Sequence, residues 1–158
     1  MKLPPLNLPD ADLRLRKEGE TVKVWDPLRG KYVTLTPEEY VRQHFTPYLQ
    51  QEFHYPKALM ANEIGIDVNG TRKRCDTVVF GREGTPLLIV EYKAPHIRLT
   101  QDVFDQIVRY NMALRARYLI VSNGLQHYCC KIDYAANSYH FLPRIPDYND
   151  ITRNHSEN

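Results

Sequence analysis

The chain has 158 residues, a length that suits one domain with its own hydrophobic core. Charged residues make up 25% of it and the net charge is only +2, so the composition allows a nucleic-acid partner without demanding one. There is no apolar run near the ~20 residues of a membrane span, no secretory signal at the N-terminus, and three cysteines do not suggest a disulfide framework. We therefore expect a cytoplasmic domain with no membrane partner.

Composition divides the chain into three segments. Residues 1–35 start with a Pro-rich arm and a charged, solvated stretch. Two β-prone runs then flank an Asp-Pro…Gly turn, Val22–Trp25 and Tyr32–Leu35, which predicts a β-hairpin packed on the core. Residues 36–148 carry the main domain, and residues 149–158 are predicted to be a polar tail.

The main domain is predicted to begin with a helix. Thr36 is the expected N-cap, Pro37 takes the first helical position, and Glu39 stands three residues after the cap, where it completes a capping box. Apolar residues then recur about once per helical turn. Pro47 predicts a kink or a break before the helix ends.

Three strands are predicted next. Residues 62–68 alternate partly between apolar and polar, and Asn69-Gly70 is the dipeptide preferred in a two-residue hairpin turn. Residues 71–80 form the return strand. Alternation puts two sets of side chains on opposite faces of it: Arg74, Asp76, Val78 and Phe80 against Cys75, Thr77 and Val79. The third strand is the unbroken apolar run Leu87–Val90, which is typical of a strand buried on both faces.

A helix with a broad apolar face follows Thr100, then a buried strand at residues 118–121. The strand–helix–strand unit predicts a right-handed parallel crossover. Residues 127–134 and 139–142 predict a final β-hairpin. The expected fold is therefore α/β: a restriction-endonuclease-like αβββαβ core with a central mixed sheet, plus an N-terminal and a C-terminal β-hairpin.

The third strand ends in Glu91-Tyr92-Lys93, and this is where chemistry is expected. Alternation directs Glu91 and Lys93 to one face and Tyr92 to the other. Charge at the end of a core strand is costly unless it is paired or binds a metal. For an isolated E-x-K the more common explanation is a simple ion pair. However, the hairpin brings Asp76 onto the neighbouring strand, so two carboxylates and an amine can converge there, a set that suits Mg²⁺ and phosphodiester hydrolysis.

Asp76 followed by Glu91-Tyr92-Lys93 resembles the D…E-x-K core of the PD-(D/E)xK nuclease superfamily. Longer stretches resemble the N-terminal nuclease domain of the R subunit of type I restriction enzymes: TPEEYVRQHF, YPKALMANEIGIDVNGTRKRCDTVVF, LLIVEYKAP, QDVFDQIVRYN and YLIVSNGLQHY. The resemblance implies a Mg²⁺-dependent endonuclease, with Mn²⁺ as an alternative metal and DNA as the substrate. It implies Asp76 and Glu91 as metal ligands and catalytic residues, and Lys93 as the catalytic cation.

The same resemblance adds three candidate catalytic residues. Gln106 and Tyr110 match a Q-x-x-x-Y motif, and positions i and i+4 share one helix face. On their own, Tyr110 continues the apolar stripe of the helix and Gln106 suits a solvated position. The family also uses a glutamate from the first helix. Glu39 is the candidate we choose, with Glu38 as its neighbour and the capping box as a competing role.

Several basic residues are open to two interpretations. A cluster of basic residues precedes Asp76 and consists of Lys57, Arg72, Lys73 and Arg74. The cluster can hold DNA, although charged hairpin ends are usually only solvated. Two helix residues, Arg42 and Arg109, can contact phosphate, but surface solvation is the expected role of each.

The sequence departs from the resemblance at two points. Cys75 replaces the proline of the superfamily motif, and no G-x-x-x-x-G-K-[ST] phosphate loop occurs. We therefore expect a nuclease domain without an ATP-driven motor, acting alone or with other restriction-modification subunits. The alternative is a catalytically silent nucleic-acid- or protein-binding module that keeps the nuclease fold. Sequence preference and oligomeric state stay open.

Overall fold

A computed structural model describes residues 3–156 of the chain, with side chains as far as Arg153. Met1 and Lys2 of the expected arm, and residues 157–158 of the expected tail, lie outside this range. The elements in chain order are β1 (Leu15–Glu18), β2 (Thr21–Asp26), β3 (Lys31–Thr34), α1 (Pro37–Phe53), a 3₁₀ turn (Lys57–Leu59), β4 (Met60–Val68), β5 (Thr71–Phe80), β6 (Pro86–Tyr92), α2 (Gln101–Met112), β7 (Tyr118–Ser122), β8 (His127–Asp133), β9 (Ser138–Leu142) and α3 (Tyr148–Ser156).

A six-stranded sheet in the order β4-β5-β6-β7-β8-β9 forms the centre of the domain. The β6–β7 pair is parallel and the other neighbours are antiparallel, so the predicted mixed sheet is confirmed. The predicted αβββαβ order is confirmed as well, running from α1 to β7. The C-terminal hairpin, β8 and β9, extends the same sheet rather than packing apart from it.

Two helices cover the two faces of this sheet. Leu88, Ile89 and Val90 of β6 point alternately to the two sides, as a strand requires, and all three are fully buried. The α1-side core contains Val41, Phe45 and Leu49 with Leu88, Val90 and Tyr92. The α2-side core contains Phe104, Ile107 and Val108 with Ile89, Leu119 and Val121.

The predicted N-terminal hairpin is present as β2 and β3, but it belongs to a three-stranded sheet. The charged stretch before it was expected to be only solvated and instead forms β1, whose four residues are all exposed. This segment forms a strand because its main chain pairs with β2, and such pairing does not depend on alternating apolar side chains. Val24 and Asp26 of β2 are completely buried and anchor the small sheet to the body.

Pro47 was predicted to kink or break the helix, and the break does not occur, because α1 continues through it to Phe53. Phe45 and Leu49, on either side of the proline, are fully buried against the sheet. Their packing outweighs the hydrogen bond that proline cannot donate. The predicted start is correct, since the Thr36 hydroxyl accepts a hydrogen bond from the Glu39 amide at 3.1 Å.

The face predicted for Cys75 is also wrong. Thr77 faces the α1 side, where its hydroxyl contacts Asn62 and Tyr92, but Cys75 lies in the α2-side core. On the paired strand, Glu63 has a φ of +52°, a value that is uncommon for a residue other than glycine. This irregularity breaks the period-2 alternation between residues 62 and 64, and the paired residues of β5 follow it.

The C-terminal segment, expected to be a polar tail, forms α3 through Ser156. Tyr148 and Ile151 are spaced by about one helical turn, and both are buried in the α1-side core. Among the described residues, no helix combines the length and the hydropathy that a membrane crossing requires.

Candidate active site

Asp76 and Glu91 come together where β5 and β6 stop pairing. The last regular pair at this end of the ladder joins Thr77 to Val90, so the next residue of each strand, Asp76 and Glu91, follows side by side. The Asp76 Oδ2 atom accepts a hydrogen bond from the Tyr92 amide at 2.9 Å. A side chain thus takes the place of the next main-chain partner, which fixes the Asp76 carboxylate at the strand end.

The two carboxyl groups disfavour each other's ionisation. Burial raises the pKa of Glu91, the charge of Asp76 raises it further, and a hydrogen bond to Asp76 acts in the same direction. Burial likewise raises the pKa of Asp76, although the Tyr92 amide and the Arg42 charge oppose the shift. Two carboxylates in one partly buried place form a coupled pair that favours holding a proton or a cation.

Lys93 supplies a positive charge beside this pair. Its charge lowers the pKa of both Asp76 and Glu91, against the effect of burial. Its amide donates to the Ser122 carbonyl at 2.9 Å, which continues the pairing with β7 past the end of β6. Tyr92, between the two charged residues, points into the α1-side core, as alternation predicts.

Arg42 is a buried hub rather than the solvated surface residue that we expected. Only 3% of its side chain is exposed. The guanidinium donates to Glu39 Oε1 at 2.8 Å and to Glu63 Oε1 at 2.6 Å, and lies 3.8 Å from Asp76 Oδ1. It also stacks over the Tyr92 ring, 5.4 Å from the centroid. Arg42 therefore connects α1 to the strand ends that carry the acids.

Glu63 is a neighbour of the acid pair that sequence reasoning missed. It bridges two arginines, accepting from Arg42 at 2.6 Å and from the Arg74 Nε atom at 3.0 Å. Burial raises its pKa, but these two hydrogen bonds outweigh burial and hold the pKa below its ordinary value. Its charge in turn raises the pKa of Asp76 and Glu91. The sequence offered one signal for it, because Glu63 is an acidic residue in the partly alternating run 62–68, on the strand that pairs with the strand of Asp76.

Glu39 lies one step away from the acid pair. It is 6% exposed, and its carboxylate accepts from Arg29 at 2.6 Å, from Arg42 at 2.8 Å and from Gln43 at 2.9 Å. Three side chains thus bind this carboxylate. In a capping box it would also accept a hydrogen bond from the Thr36 amide, but that amide donates to the Thr34 carbonyl instead. Glu39 is connected to Asp76 through Arg42 and not by a direct contact. The neighbouring Glu38 is exposed.

A chain of buried hydrogen bonds supports the site from below. Asp26 accepts from the Asn62 amide at 3.0 Å, Asn62 accepts from the Thr77 hydroxyl at 2.7 Å, and Thr77 lies 2.9 Å from the Tyr92 hydroxyl. Arg29 also binds Asp26, which links this chain to Glu39. The N-terminal sheet is thereby connected to Thr77 and Tyr92, the residues that follow Asp76 and Glu91 in the chain.

Gln106 and Tyr110 of α2 lie on the opposite side of the sheet from α1. Tyr110 is 42% exposed, and its hydroxyl accepts from the Arg74 amide at 3.2 Å and faces the Arg74 carbonyl at 3.4 Å. Gln106 is exposed one turn earlier. The structure thus places Tyr110 on the backbone of β5, two residues before Asp76, and not on the acid pair.

The predicted basic cluster is only partly formed. Arg72, Lys73 and Arg74 lie together on β5, and the Lys73 Nζ atom sits 4.3 Å from the Tyr110 ring centroid. Lys57 does not join them, because it precedes β4 at the end that pairs with Val79. Arg109 is exposed, as expected.

A sequence profile of the type I restriction enzyme R protein N terminus matches residues 37–146, well over half of the chain. This chain belongs to that family. Among curated proteins, none matches the sequence significantly. The family assignment makes this a nuclease-related domain from the restriction-modification setting.

The fold of this R-protein N-terminal domain is similar to a solved fragment described as an HsdR subunit of a type I restriction enzyme from Vibrio vulnificus YJ016. The two share 19% sequence identity with a TM-score of 0.55, over 78% of this chain and 26% of the other. At this identity the similarity establishes the fold. The chain spans about a quarter of the length of that fragment.

Asp76 and Glu91 of this R-protein N-terminal domain are carboxylates, the hard oxygen donors that Mg²⁺ takes in proteins. Among residues 3–153, no group of three or more His, Cys, Asp or Glu side chains is arranged to hold a metal. The ligands predicted from the sequence are the two carboxylates of Asp76 and Glu91. Mg²⁺ is typically held by one or two carboxylates, with water and phosphate oxygens completing its shell. The repulsion that raises both pKa values is what a divalent cation would relieve.

Proposed function

We propose that this domain is a Mg²⁺-dependent endonuclease that hydrolyses DNA phosphodiester bonds, with Mn²⁺ as a substitute metal. The observation that supports the proposal best is that Asp76 and Glu91 stand side by side at the end of two adjacent strands, with Lys93 two residues after Glu91. Both acids have raised pKa values in a partly buried place, which is a common property of functional sites. A purely structural ion pair would need only one acid.

Each residue has a distinct role in this proposal. Asp76 and Glu91 hold the metal, which when bound lowers the pKa of a water molecule and polarises a phosphoryl oxygen. Lys93 orients the attacking water or stabilises the negative charge that develops on the phosphate. Arg42, 3.8 Å from Asp76, orients that carboxylate from below. Glu39 positions Arg42 through its hydrogen bond.

Gln106 and Tyr110 belong to the proposed site through the DNA rather than the metal. Both lie on α2, and Tyr110 contacts β5 close to Asp76. We propose that DNA is the substrate partner and that other restriction-modification subunits are further partners, as the R-protein family suggests.

Cleavage of supercoiled plasmid in MgCl₂ tests the proposal. Wild-type protein is expected to nick or linearise the plasmid. Cleavage is expected to stop in EDTA and to resume when MnCl₂ is added. Lys93→Ala is expected to remove cleavage while the circular dichroism spectrum and the melting curve stay those of a folded protein. Lys17→Ala is a matched control, because Lys17 is an exposed lysine on β1. Full activity in Lys93→Ala would remove Lys93 from the mechanism.

A catalytically silent binding module is the second candidate. The observation that favours it is that the described side chains offer only two acidic ligands, since Glu63 is already bound by two arginines. Calorimetric titration with Mn²⁺ separates the candidates. Saturable binding that Asp76→Asn removes supports the nuclease. Folded wild-type protein that binds neither Mn²⁺ nor Mg²⁺ supports the silent module.

A further inference from the structure

Three consecutive cationic residues, Arg72, Lys73 and Arg74, precede Asp76 on β5. Arg72 and Arg74 are strongly exposed, with 66% and 69% of their side chains accessible. Arg72 pairs with the exposed Asp67 at 3.1 Å, and Arg74 pairs with Glu63 at 3.0 Å. The Arg72–Asp67 pair is exposed at both ends and contributes little to stability. Arg74 has an exposed guanidinium, although its partner Glu63 is only 27% exposed.

Arg74 lies next to the proposed chemistry. Its partner Glu63 also binds Arg42, which contacts the Asp76 region, and Arg74 precedes Asp76 by two residues on the same strand. If Arg74 leaves Glu63, the buried Arg42 still satisfies that carboxylate. A phosphate bound by Arg74 would thus neighbour the phosphate at the acid pair.

Tyr110 fixes this part of the strand to α2. Its hydroxyl lies between the amide and the carbonyl of Arg74, at 3.2 Å and 3.4 Å. Its ring carries the Lys73 ammonium at 4.3 Å. One side chain therefore holds the Arg74 backbone and orients the Lys73 charge, while its own ring stays 42% exposed.

We propose that Lys73 and Arg74 form a phosphate-binding arm for duplex DNA, and that Tyr110 is a positioning residue that holds this arm against α2. The inference rests on the proposed function, since it names the surface that guides DNA to Asp76 and Glu91. Arginine and lysine contacts to phosphates set the position of a duplex and read no sequence. The arm therefore explains affinity and placement, not specificity.

DNA binding in EDTA tests the arm without any cleavage. The measurement is the fluorescence anisotropy of a labelled blunt duplex of mixed sequence across a salt series. Lys73→Gln with Arg74→Gln is expected to weaken binding about tenfold or more, and to make the plot of log affinity against log salt shallower by about two. Lys17→Gln with Lys31→Gln removes the same charge from the N-terminal sheet and is expected to change affinity less than twofold.

Equal losses in both double variants would overturn the arm, because only net charge would then matter. Unchanged binding in the arm variant, or no binding by wild-type protein, would overturn it as well. Because the assay contains no metal, a protein that binds through the arm but never cleaves would refute the nuclease and leave the arm standing.

Tyr110→Phe tests the positioning role, because it removes the hydroxyl and keeps the ring beneath Lys73. We expect DNA affinity to fall about threefold to tenfold, with KM for plasmid raised and kcat unchanged. Tyr40→Phe is the matched control, since the Tyr40 hydroxyl also donates to a backbone carbonyl, that of Pro4 at 3.0 Å. Wild-type affinity in Tyr110→Phe, or a fall in kcat alone, would refute the positioning role.

Discussion

Glu91→Gln is expected to stabilise the metal-free protein while it removes the proposed metal site. Burial, the Asp76 charge and the hydrogen bond to Asp76 raise the pKa of Glu91 to about 8, from an ordinary value of 4.5. A carboxyl with a raised pKa in the folded state opposes folding once the pH exceeds its unfolded pKa. Stability is therefore highest below about pH 4.5 for this group, and falls until the pH passes about 8.

The size of the effect follows from the shift. At about 1.4 kcal/mol for each pKa unit, the Glu91 carboxyl costs at most about 3 kcal/mol of folding free energy at pH 7. The shift is shared with Asp76, and glutamine keeps a donor for the hydrogen bond, so we expect a gain of about 1–3 kcal/mol. For a chain of this size, 2 kcal/mol corresponds to a melting temperature about 4–8 °C higher.

The assay is chemical and thermal unfolding in EDTA at several pH values between 5 and 8. Wild-type stability is expected to fall across this range more steeply than that of Glu91→Gln. Glu20→Gln, at an exposed turn glutamate, is the control and should follow the wild type. Adding Mn²⁺ should stabilise the wild type and leave Glu91→Gln unchanged. If Glu91→Gln is instead less stable at pH 7, Glu91 serves as a structural ion-pair partner of Lys93 and the reasoning fails.

Three further predictions concern the framework. Arg42→Met should destabilise the protein by about 2–3 kcal/mol, since Glu39 and Glu63 would each lose one of their two arginine partners, and an unchanged urea midpoint would contradict the hub role. Thr77→Val should cost about 1–2 kcal/mol in the same titration through the broken hydrogen-bond chain, and a neutral effect would mean that the chain contributes nothing. Ile151→Ala should cost about 2–4 kcal/mol, whereas a wild-type melting curve would show that α3 does not pack on the core.

The meeting of Asp76 and Glu91 could be predicted because simple rules determine it. An Asn-Gly turn fixes a tight hairpin and a short loop returns the chain, which brings the two residues onto adjacent strands. Alternation failed around Asp76, where Cys75 and Thr77 face opposite sides, because Glu63 adopts a positive φ that no glycine or asparagine signals. Local sequence patterns assume regular strands, and they miss an irregularity that the surrounding contacts impose.

The burial of Arg42 could not be predicted from the helix pattern. An arginine on an amphipathic helix is usually solvated, and only the assembled sheet brings Glu63 and Asp76 within reach of it. The helix α3 was not predicted, for a different reason. Its composition is polar, and two anchors at helical spacing, Tyr148 and Ile151, are enough to fold it onto the core.

A crystal soaked in Mn²⁺ tests the central claim most directly. The account predicts an anomalous difference peak bonded to the carboxylates of both Asp76 and Glu91, and its loss in crystals of Asp76→Asn. A soaked crystal at saturating Mn²⁺ with no peak between these two side chains, or with the peak elsewhere, would contradict it.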